Sequence, residues 1–183
     1  MTYYGPKDLA AAFRTVRGNT LRIAEEIPET DYGYRVTPES RSVAEMLAHI
    51  AVGARLQEQI HFAERRSSLD GFDFFGFMAR QAADEQKPRS KQEILDMLRA
   101  EGEKFAQALE GLSDEFLGEQ VQYPAGMTPP VKSRFEMLIG AKEHEMHHRG
   151  QLMMIERMLG ITPHLTRQMQ ERVAAMRAAQ AGG

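Results

Sequence analysis

The stretch Ser133-Arg134-Phe135-Glu136-Met137-Leu138-Ile139-Gly140-Ala141-Lys142-Glu143-His144-Glu145-Met146-His147-His148-Arg149-Gly150-Gln151-Leu152, running on to Gly160, reads as one long helix. It opens on a capping box, in which the Ser133 hydroxyl and the Glu136 carboxylate would each satisfy a backbone N–H that the first turn leaves free. It closes at Gly160, with Pro163 barring continuation. On a wheel of about 100° per residue with His144 at zero, His148 falls near +40°, Met137 and Ile155 near +20° and Leu159 near +60°. Glu145, Arg149 and Glu156 fall toward about +100° to +160°, the polar side. Two histidines therefore sit in the middle of the apolar stripe, four residues apart, the spacing at which two imidazoles can aim at one point. His147 lies at the margin.

The same signals recur upstream. Ser42-Val43-Ala44-Glu45 and Ser90-Lys91-Gln92-Glu93 are two more capping boxes. The first opens a helix expected to reach about Arg65. The second opens one carrying Ile94, Leu95, Leu98, Phe105 and Leu109 toward Gly111. A helix from about Pro6 to Ile27 shows the stripe Leu9, Phe13, Val16, Thr20, Ile23 and Ile27, and Pro28 ends it. No segment shows strand alternation. The linkers, above all the aromatic-rich 66–89 stretch with Phe72, Phe74, Phe75 and Phe77, are long enough for crossovers. That stretch reads as a packed cover over the bundle rather than a substrate lid. The expected fold class is all-α: a four-helix bundle with long crossover connections in a single domain over residues 1–183. The bundle occupies about residues 6–160, and a C-terminal helical extension, about residues 165–180, frays over Ala178 to Gly183.

Composition bounds the function. The chain has 183 residues, 42% hydrophobic and 27% charged, with 23 Lys+Arg against 26 Asp+Glu and a formal charge of -3. This is the profile of an ordinary globular domain. Its mild acidity speaks against a nucleic-acid partner. It has no cysteine, which excludes thiolate metal sites and a cysteine nucleophile. No apolar run nears the roughly 20 residues of a membrane span, and the first twelve residues do not resemble a signal peptide. The expected location is cytoplasmic. The twelve methionines read mostly as core filler.

Two histidines need a third ligand. His49 is central on the stripe of the second helix, between Met46 and Leu56, whereas His61 lies off that face and His164 falls in a terminal turn. Wheel geometry thus selects His49, His144 and His148. A lone histidine on an apolar face is more often a hydrogen-bonded core residue. Three of them each need a polar partner, and one metal ion would satisfy all three. Gly53 and Gly102 face inward and either leave room beside such a site or allow close helix packing. Gln151 faces inward as a hydrogen-bond partner for a ligand histidine. His144-Glu145-Met146-His147-His148 also fits the HExxH pattern of zinc metalloproteases, with Glu145 as base. However, the extended pattern is missing, and no strand is expected to bind extended peptide.

Two segments carry a resemblance: Arg41-Ser42-Val43-Ala44-Glu45-Met46-Leu47-Ala48-His49-Ile50, and His144-Glu145-Met146-His147-His148-Arg149-Gly150-Gln151-Leu152. Both resemble the helix signatures of the DinB/YfiT-like family, over roughly Leu9 to Gly160. The resemblance implies a four-helix bundle and a divalent metal ion, zinc or nickel, held by His49, His144 and His148. It implies a homodimer acting on a small molecule; the lack of a long apolar run speaks against a membrane partner. It also implies chemistry in which a low-molecular-weight thiol, such as bacillithiol or mycothiol, is transferred, or in which a substrate is hydrolysed, thiol transfer standing slightly ahead. The competing class is a metal-binding stress or interaction protein without turnover.

Overall fold

The computed structural model describes residues 4–181. Helix α1, Pro6–Glu26, starts on Pro6 behind the Gly5 cap and stops before Pro28. Helix α2, Val43–Val52, starts at the Ser42/Glu45 capping box. A short helix α3, Arg55–Gln57, continues into a π-helical turn, Glu58–Ala63. Then follow α4, Phe74–Glu85, α5, Lys91–Glu110, and α6, Asp114–Gly118. A hairpin of β1, Gln120–Gln122, and β2, Val131–Ser133, is antiparallel with Val121 opposite Lys132. Helix α7, Arg134–Met158, starts at the Ser133/Glu136 box, and α8 spans His164–Ala181.

Helices α1, α2, α5 and α7 form the bundle. Helix α1 packs on α5 and α7, α2 packs on α5 and α7, and α4 lies across α2. The expected bundle with long crossovers is the one observed. The link from α2 to α5 runs through α3 and α4, and that from α5 to α7 through α6 and the hairpin. All three serine capping boxes form, each with the serine oxygen accepting from the N–H three residues on and the glutamate reaching back.

The apolar interior is split. One cluster gathers Ile23, Leu47, Ile50, Leu98 and Leu152. Another gathers Leu9, Phe13, Phe105, Leu109 and Leu138. Between them in sequence, on every bundle helix, lie Arg17, Val52-Gly53 at the end of α2, Gly102 and His144-Glu145. A polar layer thus crosses the bundle between two apolar ones.

Four expectations are corrected. The second helix does not run unbroken to Arg65. It breaks at Gly53, where the poor helix former loosens the backbone and side chains bond the last carbonyls: Arg17 donates to Ile50 O at 3.2 Å, beside the Gly53 N–H, and Gln81 to Val52 O at 2.7 Å. The 66–89 stretch is not only a loop, because α4 occupies half of it. Phe72 packs near Ile60 and Val121, but Phe75 is 86% exposed, so the cover is partial. A hairpin exists where no strand was expected, because three-residue strands are too short to show alternation. The methionines are not mostly core: Met46 and Met137 are buried, while Met127, Met146, Met154, Met158, Met169 and Met176 are exposed. The expected tail helix forms. Residues 178–180, where fraying was expected, are helical, and residues 182–183 lie outside the described residues. Among the described residues no helix is long and apolar enough to cross a membrane.

Candidate metal centre

His49 projects from α2, and His144 and His148 from successive turns of α7. Their Nε2 atoms form a nearly equilateral triangle. His49 to His144 is 3.0 Å, His49 to His148 is 3.1 Å and His144 to His148 is 3.1 Å. The rings meet edge to face, with centroids 4.5 to 4.8 Å apart. Among the described residues this is the group of three His, Cys, Asp or Glu side chains that could hold a metal ion. All three residues selected from the wheels are therefore brought together.

The far sides of two rings are tied down. His49 Nδ1 lies 2.7 Å from Glu85 Oε1, and His148 Nδ1 lies 2.9 Å from Gln151 Oε1. Both partners are acceptors, the Gln151 amide nitrogen being turned to His147 Nε2 at 3.2 Å. In the neutral rings, Nδ1 must then carry the proton and Nε2 the lone pair. Burial, and after it the charges of His148 and His49, push the His144 imidazolium down to about 4. Burial likewise lowers His148, partly offset by the Gln151 hydrogen bond. Both rings are neutral near pH 7, the form that coordinates metals. Lone pairs facing one another about 3 Å apart repel unless a cation lies between them. A zinc–nitrogen bond of about 2.0–2.1 Å reaches from all three corners of a triangle this size, so the donor set fits a divalent ion.

Gly53 explains how the rings fit. A Cβ there would stand 3.0 Å from His144 Nδ1 and 3.2 Å from its Cε1, so the close-packing alternative is the one observed: the glycine lets the His144 ring approach the end of α2. The same holds for Gly102, whose missing Cβ makes way for Arg17, at 2.8 Å from Cγ.

Glu145 is the main correction at the site. It does not lie on a solvated face but is 2% exposed. Its carboxylate accepts from Arg17 Nε at 3.0 and 3.1 Å and from the Thr20 hydroxyl at 2.7 Å. Glu156, also expected on the polar side, is fully buried. The reason is that α7 packs against α1 as well as α2, so it buries a second face that one apolar stripe does not reveal. A carboxylate locked to a buried guanidinium is no metalloprotease base. His61 and His164 are buried apart from the triad, near Arg134 and Asn19 respectively, and His147 is exposed.

Sequence reasoning missed Glu85, Arg41 and Arg17. Glu85 is buried at the end of α4, and Arg41 lies 3.3 Å from its other oxygen. Nothing in the sequence marks Glu85, but Arg17 carried a signal: it sits four residues after Phe13, on the apolar stripe of α1. His148, alone of the triad, lines a cleft of about 910 Å³, whose walls also hold Arg41, Glu85 and Gln151 and the methionines Met46, Met154 and Met158. Met154 and Met158 are 59% and 54% exposed, so an apolar wall stands beside the polar one.

The comparisons with known proteins agree with this fold. The uncharacterized protein YjoA of Bacillus subtilis is 25% identical over 154 residues, covering 84% of this chain and 90% of that protein. The crystal structure of YjoA superposes with a TM-score of 0.62 at 23% identity, over 84% of this chain and 92% of that one. A DinB-like protein of Bacillus cereus gives 0.66 at 16% identity, over 88% and 97%. YfiT of Bacillus subtilis gives 0.66 at 13% identity, over 88% and 91%, and is described as a probable metal-dependent hydrolase with an unusual four-helix bundle topology. The sequence pattern of the DinB superfamily matches residues 12–152, well over half of the chain, and with this fold and this triad the chain belongs to that superfamily.

Proposed function

We infer that this protein is a metal-dependent enzyme acting on a small molecule, with a divalent ion held by His49, His144 and His148. The observation that carries the reading is the convergence of three Nε2 atoms within 3.1 Å, with Glu85 and Gln151 holding the opposite nitrogens of two rings. Neutral ligands leave such an ion its full charge, and when bound it supplies Lewis acidity that lowers the pKa of water or of a thiol and polarises a carbonyl. The protein's own groups do the rest. Glu85 fixes the ring plane of His49 and, as an anion, raises its basicity as a ligand. Gln151 does the same for His148 without charge. The cleft offers a substrate an apolar wall of methionines and a guanidinium at Arg41.

Hydrolysis and thiol transfer share this site and differ in the nucleophile. The likeness to YfiT favours water. The lack of cysteine means that a thiol would come from a diffusible compound. The first experiment is metal content by elemental mass spectrometry on tag-free protein, wild type beside His49→Ala, His144→Ala and His148→Ala, with His147→Ala as control. Near-stoichiometric metal, lost in the three and kept in the control, supports the reading. Wild type that stays empty after incubation with zinc or nickel overturns it. Loaded protein then goes to a panel of esters and amides with and without added thiol. Turnover that needs the thiol assigns transfer, and turnover without it assigns hydrolysis. Stoichiometric metal with no turnover on either panel leaves the non-catalytic metal-binding class.

A further inference from the structure

Glu145 lies next to His144 in the chain, and Ile50 next to His49. One guanidinium joins the two places. Arg17, from α1, holds the Glu145 carboxylate through Nε at 3.0 and 3.1 Å and through a terminal nitrogen at 3.0 Å. Its other bonds go to Ile50 O at 3.2 Å on α2 and Leu98 O at 2.7 Å on α5. Arg17 is 5% exposed, and its guanidinium carbon stands 5.3 Å from the centre of the Phe13 ring. Thr20 adds a third donor to Glu145.

Resting on the metal reading above, we propose that Arg17 and Glu145 are positioning residues that set the distance between the two helices carrying the ligand histidines. Three features make this more than a buried ion pair. First, burying a charged pair is a poor source of stability, since desolvation offsets much of the attraction. A pair at this depth needs another account. Second, the contacts are specific to the guanidinium fork. Arg17 reaches three different helices with fixed geometry, which a lysine ammonium could not do. Third, the backbone is shaped to receive it. Helix α2 breaks after Val52, just where the Ile50 carbonyl takes the guanidinium, and α5 has Gly102 where a Cβ would collide with Arg17. Ligand nitrogens must sit within roughly 0.5 Å of the productive geometry to hold an ion well. A tie one residue from His49 and one residue from His144 acts directly on that tolerance. The glutamate of the HExxH-like motif thus works from behind its histidine.

The test replaces the pair by apolar groups of similar size, Arg17→Met with Glu145→Leu, because such replacements commonly preserve stability. The probe is Co²⁺, whose visible absorption reports coordination geometry. Folding is followed separately by thermal unfolding in chelator. The expected result is a double variant that folds with a melting temperature near that of wild type, yet binds Co²⁺ at least tenfold more weakly with an altered absorption band. Arg17→Lys, which keeps a cation and loses the fork, is the second variant and is expected to shift the same band. Should the double variant fail to fold, that band and the Co²⁺ affinity of Arg17→Lys decide alone. Variants that match wild type in affinity and spectrum overturn the positioning role while leaving the metal site standing. Wild type that takes up no Co²⁺ overturns the metal reading, and this proposal with it.

Discussion

His61 and the triad are both imidazole sites inside the same bundle, one fully buried and the other half-buried at His49 and His144, and they are built on opposite plans. His61 is fully buried, with Nδ1 facing the Arg134 guanidinium at 3.0 Å and Nε2 facing Gln57 Oε1 at 3.0 Å. One nitrogen accepts and the other donates, so a neutral ring is satisfied completely. In the triad the donors of His49 and His148 are committed outward, to Glu85 and Gln151, and the Nε2 atoms of all three rings converge on one point. Burial alone therefore says little about a histidine. What separates a structural ring from a ligand is whether its lone pair has already found a proton.

That contrast can be broken most sharply by truncation. His144→Ala is expected to weaken Zn²⁺ binding by more than ~100-fold, since it removes a ligand outright and losing a group that merely holds a ligand costs about 10–100-fold. Its metal-free unfolding free energy should change by less than about 1 kcal/mol, because the lost ring faces two like acceptors. His61→Ala should do the reverse. It leaves the Arg134 guanidinium without its buried partner, at a cost of about 2–3 kcal/mol in urea unfolding, and should leave Zn²⁺ affinity unchanged. If His61→Ala weakened the metal and His144→Ala unfolded the protein, the distinction would be wrong.

Glu85 is the next test. Glu85→Gln keeps an acceptor for His49 Nδ1 and removes the charge, so Zn²⁺ affinity measured by competition should fall about tenfold. Loss of the whole side chain in Glu85→Ala should cost more. Equal affinity in both variants would mean that His49 is oriented by packing alone.

Two of the buried titrating groups outside the triad, His61 and Glu156, give stability opposite pH slopes. Burial, and then the charge of Arg134, hold the His61 imidazolium down at about 4 against an ordinary 6.5. The unfolded chain then binds more protons between those values, so the stability tied to His61 is complete above about 6.5 and is lost as pH falls toward 4. Glu156 is the mirror case. Both its oxygens are buried without a hydrogen-bond partner, and burial, then Glu26, push its carboxyl up to about 7 from 4.5. Its contribution is complete below 4.5 and is lost as pH rises through 7. Urea unfolding across pH 4 to 8 should show Glu156→Gln matching wild type near pH 4.5 and exceeding it by about 1 kcal/mol at pH 8. A variant that follows wild type at both ends would show the carboxyl to be ionised throughout.

How much of this was readable from the residues divides along physical lines. The helix starts at Ser42, Ser90 and Ser133 were legible because a capping box is local chemistry, complete within four residues. His49, His144 and His148 were legible because helical periodicity places them on buried faces without any knowledge of the neighbouring helix. Glu85 was not, since its role comes from α4 crossing α2, a tertiary event that leaves no mark on the sequence around it. Glu145 was misplaced because α7 is buried on two sides, so the wheel's polar face is also an interior face. The break in α2 was invisible because Gly53 is tolerated within many helices, and only the side chains of Arg17 and Gln81 make stopping there favourable.

The smallest expected effect sits at that break. Gly53 has right-handed helical backbone, φ -58° and ψ -29°, so Gly53→Ala imposes no backbone strain. By reducing the freedom of the unfolded chain it should stabilise the metal-free protein by up to about 1 kcal/mol. The new methyl, however, would stand 3.0 Å from His144 Nδ1, close enough to push the ring a few tenths of an ångström. The triangle of nitrogens would open on one side while the fold tightened. Zn²⁺ affinity should therefore fall a few-fold while the melting temperature in chelator holds or rises, a divergence that neither a plain packing defect nor a plain helix effect would produce. A parallel fall in both quantities would mean that the glycine serves the bundle and not the histidine beside it.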